Sequence, residues 1–231
     1  FEQEAQMMTR LRHRNIARVL GGGRDDELKL HFIVMEYIQG KNLKQHLREK
    51  GPLPLPEVLE IARQIAGALN YAHNQAAPII HRDIKPTNIM LEDSSERVLV
   101  LDFDIAKELG GSERAQTRAG VISGTWKYCA PEQLRHEPLS GSADVYSLGM
   151  VMYEMYTGTP FFSGLDEQAV LGKVLHDQRE HEPYFARQTL PAFATLVTKA
   201  IAKSRDKRYR RMADLPNDLE ACWWALDDTR T

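Results

Sequence analysis

The ten residues HRDIKPTNIM, His81 to Met90, crowd acid, base and amide side chains into one short polar stretch. Asp83 and Asn88 lie five positions apart, Lys85 stands between them, and Asp102 follows fourteen residues after Asn88. That set suits phosphoryl transfer. One carboxylate can orient a hydroxyl, a second carboxylate and an amide can hold a divalent ion, and an ammonium can neutralise a phosphate. Each residue also has an ordinary reading, since Asp and Asn are common in turns. A second acid, Asp104, stands one residue beyond Asp102 with Phe103 between them.

Such side chains need rigid elements to hold them. Val98 to Leu101 is an unbroken apolar run that reads as a buried strand delivering Asp102 at its mouth. Upstream, Pro56 suits the first turn of a helix in which Val58, Ile61, Ala62, Ile65, Leu69 and Ala72 form a core-facing stripe. Glu4, Met8 and Leu11 recur at helical spacing before two expected strands, Ile16 to Leu20 and Leu28 to Glu36, with a turn beginning at Gly21 to Gly23. The apolar, branched and aromatic HFIVMEY predicts burial on both faces of the second strand, and Gly40 is expected to end it. Lys41 to Lys50 reads as a short helix and Glu108 to Ser123 as a loop. Helices are expected over Asp144–Tyr156, Glu167–Asp177, Pro191–Lys203 and Met212–Leu226. A few strands followed by many helices predict a mainly α fold with a small sheet.

The 231 residues suffice for one large domain or two small ones. An apolar share of 42% with 27% charged residues is that of a globular protein, which argues against a disordered chain. A net charge of −2 gives no reason to expect nucleic acid or a membrane surface as partner, and the basic stretch Lys203 to Arg211 is local. Two cysteines, Cys129 and Cys222, imply no disulfide framework and favour a reducing compartment. No run reaches membrane-spanning length and no signal peptide is visible. The expected location is the cytoplasm, or the cytoplasmic part of a membrane-anchored parent. The start at Phe1, without Met and inside a helix, reads as a cut.

HRDIKPTN, then DFD, GTWKYCAPE and DVYSLG stand, within about seventy residues, in the order of the eukaryotic-type protein kinase signature, and the chain resembles that family over essentially its whole length. FEQEAQMMTRLRHRNI resembles the regulatory helix of the small lobe, IVMEYIQG the strand and hinge against which adenine docks, and KSRDKRYRRMADL the closing helices of the large lobe. Lys85, two residues after Asp83, is the serine/threonine pattern, and the short loops look like the bacterial branch. The resemblance implies a partial small lobe over 1–38 and a helical large lobe over 39–231. It implies ATP and Mg²⁺ as cofactors and serine or threonine hydroxyls of proteins as substrates.

Carried over by motif, Asp83 orients the hydroxyl proton, Lys85 contacts the transferring phosphate and Thr125 braces both. Asn88 and Asp102 hold magnesium, and Glu4 pairs with the phosphate-anchoring lysine of the small lobe. Met35 is the gatekeeper, the backbone of Glu36 and Ile38 meets adenine, and Met90 packs beneath its ring. His81, Phe103 and Met8 stack in an apolar column that links the regulatory helix to the site. Glu132 and Arg208 form a buried ion pair, and Asp144 bonds the backbone around His81 and Arg82. Arg82 implies an activation segment ordered by phosphate, with Thr117 the leading phosphosite and Ser112 and Ser123 lesser ones.

Two features depart from the family. No glycine-rich loop and no strand lysine precede Glu4, so this piece alone is expected to bind nucleotide poorly and to transfer phosphate slowly or not at all. Asp104 stands where the family has glycine, whose freedom lets the preceding Phe and Asp change arrangement. Two rival readings use the same residues. One is a pseudokinase scaffold that regulates a partner without phosphotransfer. The other is a small-molecule kinase, against which GTWKYCAPE argues as a peptide-substrate shelf.

Overall fold

The longest apolar stripes become the central helices. The computed structural model describes residues 8–103, 125–177, 180–186 and 188–228. Helix α1 (Leu43–Lys50) starts on a reciprocal cap, in which the Asn42 side chain accepts from the Gln45 N–H and the Gln45 side chain accepts from the Asn42 N–H. Helix α2 (Leu55–His73) has Pro56 in its first turn and buries Val58, Ile61, Ala62, Ile65, Leu69 and Ala72. After the short α3 (Pro131–Leu134) comes α4 (Gly141–Thr157), buried without a break from Ser142 to Met155. It stops at Gly158, whose left-handed φ of 74° and close approach to the Pro52 ring both suit a residue without Cβ. Helices α5 (Glu167–Leu171), α6 (Pro191–Ala200) and α7 (Leu215–Asp228) follow, with α2 and α6 packed on α4 and α7 packed on α2 and α6.

Two small antiparallel sheets accompany the helices. Strands β1 (Val19–Asp25) and β2 (Leu30–Met35) pair from Val19↔Met35 to Asp25↔Leu30, with an irregularity between Val19 and Gly21. Strands β3 (Gly40–Asn42), β4 (Ile89–Glu92) and β5 (Val98–Val100) form a three-stranded sheet in that order. Gly40 opens β3 in a space no other residue fits, because a Cβ there would lie 2.0 Å from the Leu91 carbonyl oxygen.

Several sequence expectations need correction. Gly21 to Gly23 do not begin a turn; they lie inside β1, and the turn is made by the residues after Asp25, whose carboxylate accepts from the Glu27 and Leu28 N–H groups. The first strand is accordingly Val19–Asp25 and not Ile16–Leu20. Strand β2 is not buried on both faces: Phe32, Ile33 and Val34 are 48%, 39% and 46% exposed, and among the described residues β1 is the strand it pairs with. Gly40 does not end that strand but starts the next. The helix expected over Glu167–Asp177 breaks at Leu171 into a π-helical turn, Gly172–His176, and the one over Pro191–Lys203 ends at Ala200. Met212–Asp214 is a 3₁₀ turn ahead of α7.

Candidate active site

Strand β5 is clamped before it reaches the site. The Val100 N–H donates to the Asn15 carbonyl at 2.9 Å and the Ala17 N–H to the Val100 carbonyl at 3.0 Å. From α2, Gln64 Oε1 accepts the Val98 N–H and the Asn15 side-chain amide, at 3.0 and 2.6 Å. One residue past the strand, the Leu101 N–H donates to the Asn88 carbonyl at 2.9 Å. Asp102 then emerges exposed, with a left-handed φ of 52°. That geometry costs an ordinary residue about 1–2 kcal/mol and persists only where surroundings enforce it. Arg82, at φ 69°, is the second such residue on this rim.

At Arg82 the enforcing group is Asp144 on α4. It is fully buried, accepts from the backbone N–H of His81 (2.8 Å) and Arg82 (2.9 Å), and meets His73 Nε2 at 2.7 Å. Burial pushes its carboxyl upward, but the His73 hydrogen bond and charge, with His81, outweigh this and hold it below the usual range. Beside it the His81 ring uses both nitrogens. Its Nδ1 accepts from the Asp83 N–H at 3.2 Å, so Nε2 carries the hydrogen and donates to the Leu101 carbonyl at 2.7 Å. Burial depresses its pKa more than the neighbouring acids raise it, and the ring stays neutral. Phe103, 4% exposed, lies against it with ring centres 4.5 Å apart, and Met8 is also buried.

On this platform three side chains converge. Lys85 Nζ is 2.7 Å from Asp83 Oδ2, and the Asn88 amide nitrogen donates to the same oxygen at 3.0 Å and to the Asp83 carbonyl at 2.9 Å. The 3₁₀ turn Pro86–Asn88 carries Asn88 round to this position. With its nitrogen committed, Asn88 has its amide oxygen as the remaining donor atom toward a cation. Asn88 and Asp102 carry hard oxygen atoms of the kind that would suit magnesium, an ion that keeps waters and takes phosphate oxygens for the rest of its shell. Among the described residues no cluster of three or more His, Cys, Asp or Glu side chains could hold a metal.

Among the residues expected to meet adenine, Met35 ends β2, and Met90 on β4 pairs with Asn42 and Leu99. Met35, Ile38 and Met90 are half-buried. The Glu36 side chain is engaged elsewhere: its carboxylate accepts from the Arg18 N–H at 2.8 Å, and its own N–H donates to the Arg18 carbonyl. Glu132 on α3 and Arg208 form a two-pronged ion pair, both contacts at 2.8 Å and both residues almost fully buried. Arg208 also donates to the carbonyls of Ala202, Ser142 and Lys203. Thr125 opens a 3₁₀ turn, Thr125–Tyr128. Glu4, Asp104, Ser112, Thr117 and Ser123 lie outside the described residues.

Sequence reasoning missed three contributors. His73 completes the Asp144 shell from 71 residues away, and Gln133 donates to the Arg82 carbonyl at 2.6 Å. Glu154, buried on α4, accepts from the Tyr128 hydroxyl at 2.5 Å and from Lys44 at 3.1 Å. The nearest signal was Tyr128 inside GTWKYCAPE; the other partners are unremarkable in sequence.

Comparison with known proteins agrees with this geometry. The profile of the protein kinase domain matches residues 1–216. A probable serine/threonine-protein kinase of Streptomyces coelicolor is 36% identical over 225 residues, which are 96% of this chain and 33% of that protein. Serine/threonine-protein kinase A of Synechocystis is 39% identical over 217 residues, 88% of this chain and 41% of that protein. The chain therefore spans about a third to two fifths of the length of these relatives. The crystal structure of the Mycobacterium tuberculosis PknI kinase domain superposes with a TM-score of 0.72 at 26% identity, over 96% of this chain and 77% of that one. A mainly helical body with a small sheet, the converging Asp83, Lys85 and Asn88, and these relationships lead to one conclusion: the chain belongs to the protein kinase domain family, on its bacterial serine/threonine branch.

Proposed function

We propose that the chain is the core of a serine/threonine protein kinase that moves the γ-phosphoryl group of ATP to protein hydroxyls. The observation that carries this is the contact of Lys85 and Asn88 with one carboxylate, Asp83, on a loop whose backbone Asp144 fixes. In this reading residues 1–38 belong to the small lobe and 39–231 to the large one. Asp83 accepts the proton of the attacking hydroxyl, and Lys85 holds negative charge on the transferring group. Asn88 and Asp102 hold the magnesium that ATP brings, which supplies charge neutralisation at the phosphates. The backbone of Glu36 and Ile38 meets the adenine edge, with Met35 behind it and Met90 below. Thr125 braces the catalytic loop, Glu4 anchors the small-lobe lysine, and Thr117, with Ser112 and Ser123, takes the activating phosphate. In this reading the site faces the cytoplasm, in a free protein or in the cytoplasmic part of a membrane-anchored parent.

Transfer of labelled phosphate from ATP to a serine- and threonine-containing protein by the full-length protein tests the proposal. Asp83→Asn is expected to lower kcat by about 10²- to 10⁴-fold, the usual contribution of a positioned base, with nucleotide affinity little changed. Undiminished transfer would remove Asp83 from the mechanism. One sequence feature supports a second reading: Asp104 replaces the family glycine. Tight nucleotide binding without any transfer by the unmutated protein would favour the scaffold.

A further inference from the structure

The run from Arg10 to Arg18 carries four arginines, and all four are exposed. A groove of about 270 Å³ is lined by Arg12, Arg14, Arg18 and Arg97, with Glu36 as the sole acid in its lining. Arg97 is already shared between Glu36 and Glu92, at 3.6 Å each, and Glu36 also accepts the Arg18 N–H. The side chains of Arg12, Arg14 and Arg18 make no hydrogen bond or ion pair among the described residues. His13, in the same wall, adds no charge near neutral pH, because burial first and Arg14 second depress its pKa. Three guanidinium groups without a hydrogen bond or ion pair among the described residues thus edge one small concavity, the charge of Arg14 being felt by Glu60.

We propose that this groove binds a phosphoryl group carried on a phosphorylated serine or threonine of a protein segment. Guanidinium groups match phosphate oxygens in pairs, and a phosphoryl dianion balances the charge of this cluster better than one carboxylate does. The groove is smaller than the usual small-molecule pocket, which suits one modified side chain with its flanking backbone. A nucleic acid would need a longer basic track, and the chain as a whole is slightly acidic. The position gives occupancy a consequence. Asn15 and Ala17, inside the same run, hold Val100 through the two backbone bonds that clamp β5, two residues before Asp102. For the source of its ligand the inference rests on the kinase reading, because phosphoserine and phosphothreonine are the products of such chemistry.

Fluorescence anisotropy on the intact protein decides it, using a labelled peptide bearing one phosphothreonine, the same peptide unphosphorylated, and a single-stranded oligonucleotide. The phosphopeptide is expected to bind at least about tenfold more tightly than either control. Arg12→Ala and Arg18→Ala should each weaken it by about tenfold while leaving the melting temperature unchanged, since both side chains are exposed. Equal affinity for the two peptides, tighter binding of the oligonucleotide, or a phospho-preference that survives both substitutions would overturn the proposal. Asp83→Asn protein should show the same preference as the unmutated protein. Because binding is read without turnover, failure of the groove and failure of phosphotransfer are separate results.

Discussion

Asp144 shows how one buried carboxylate sets the geometry of residues that never touch it. It takes three hydrogen bonds, two of them from backbone N–H groups, and so holds Arg82 in its left-handed conformation just before Asp83. Its replacement by alanine would orphan all three donors. Asp144→Ala is expected to cost about 3–5 kcal/mol, read as a large fall in melting temperature, and to reduce phosphotransfer even in molecules that remain folded. Because its pKa is depressed in the fold, its contribution is fully present above the unfolded value of 3.8 and is lost as pH falls through the lower folded value.

His181 behaves oppositely in sign of charge but has the same acid sensitivity. Its Nε2 is 2.8 Å from the Tyr146 hydroxyl, the ring is 7% exposed, and burial, helped by the nearby Lys203, lowers its pKa from 6.5 to about 4. Above pH 6.5 the ring is neutral in folded and unfolded chains alike. Between pH 6.5 and 4 the unfolded chain takes up a proton that the folded chain refuses, so stability should fall through that window by up to about 3 kcal/mol. Chemical denaturation at several pH values checks this, and His181→Gln should flatten the slope. A slope unchanged in that variant would assign the acid sensitivity to other groups.

At the scale of elements, the Glu132–Arg208 pair ties α3 to the segment ahead of α7 and to the start of α4 through the Ser142 carbonyl. Breaking a buried pair from one side strands a charge in the core, so Arg208→Ala should cost about 3–5 kcal/mol. Removing both charges together should cost less than the sum of the single changes, which a double-mutant cycle in denaturation will show. The meeting of β3 and β4 is equally exacting: Gly40→Ala drives a methyl into the Leu91 carbonyl and should cost about 1–3 kcal/mol or more. Such pairings explain what sequence could reveal. The stripe of α2 was legible because its buried positions follow the helical period, and the catalytic-loop residues were legible because they lie within eight positions of one another. The Gly21–Gly23 run misled because glycine marks a turn and an open strand equally well, and here the acids Asp25 and Asp26 mark the turn. His73 was invisible because nothing local in α2 points to a partner 71 residues away.

The whole molecule is unevenly protected. Helix α4 lies inside a layer of helices, and Val145, Tyr146, Leu148, Val151 and Met152 have no exposed surface. Among the described residues strands β1 and β2 pair only with each other, and Leu20, Leu30, Phe32 and Val34 on them, with Leu28 in their turn, are about half exposed or more. A lone two-stranded ribbon is marginal without a covered apolar face. Composition hides this, because HFIVMEY has the residues of an interior strand whatever packs on it. Opening the ribbon should therefore require far less free energy than unfolding the helices. Native-state hydrogen exchange on the full chain should show the β1–β2 amides exchanging through local opening, insensitive to low denaturant. The amides of α2 and α4 should exchange only through global unfolding and track the denaturant dependence of the melt. Leu148→Ala should speed exchange in α4, its cost being about 2–5 kcal/mol, whereas Phe32→Thr should leave α4 untouched. Equal protection of the ribbon and α4 would mean that the exposed face of β2 is covered in solution.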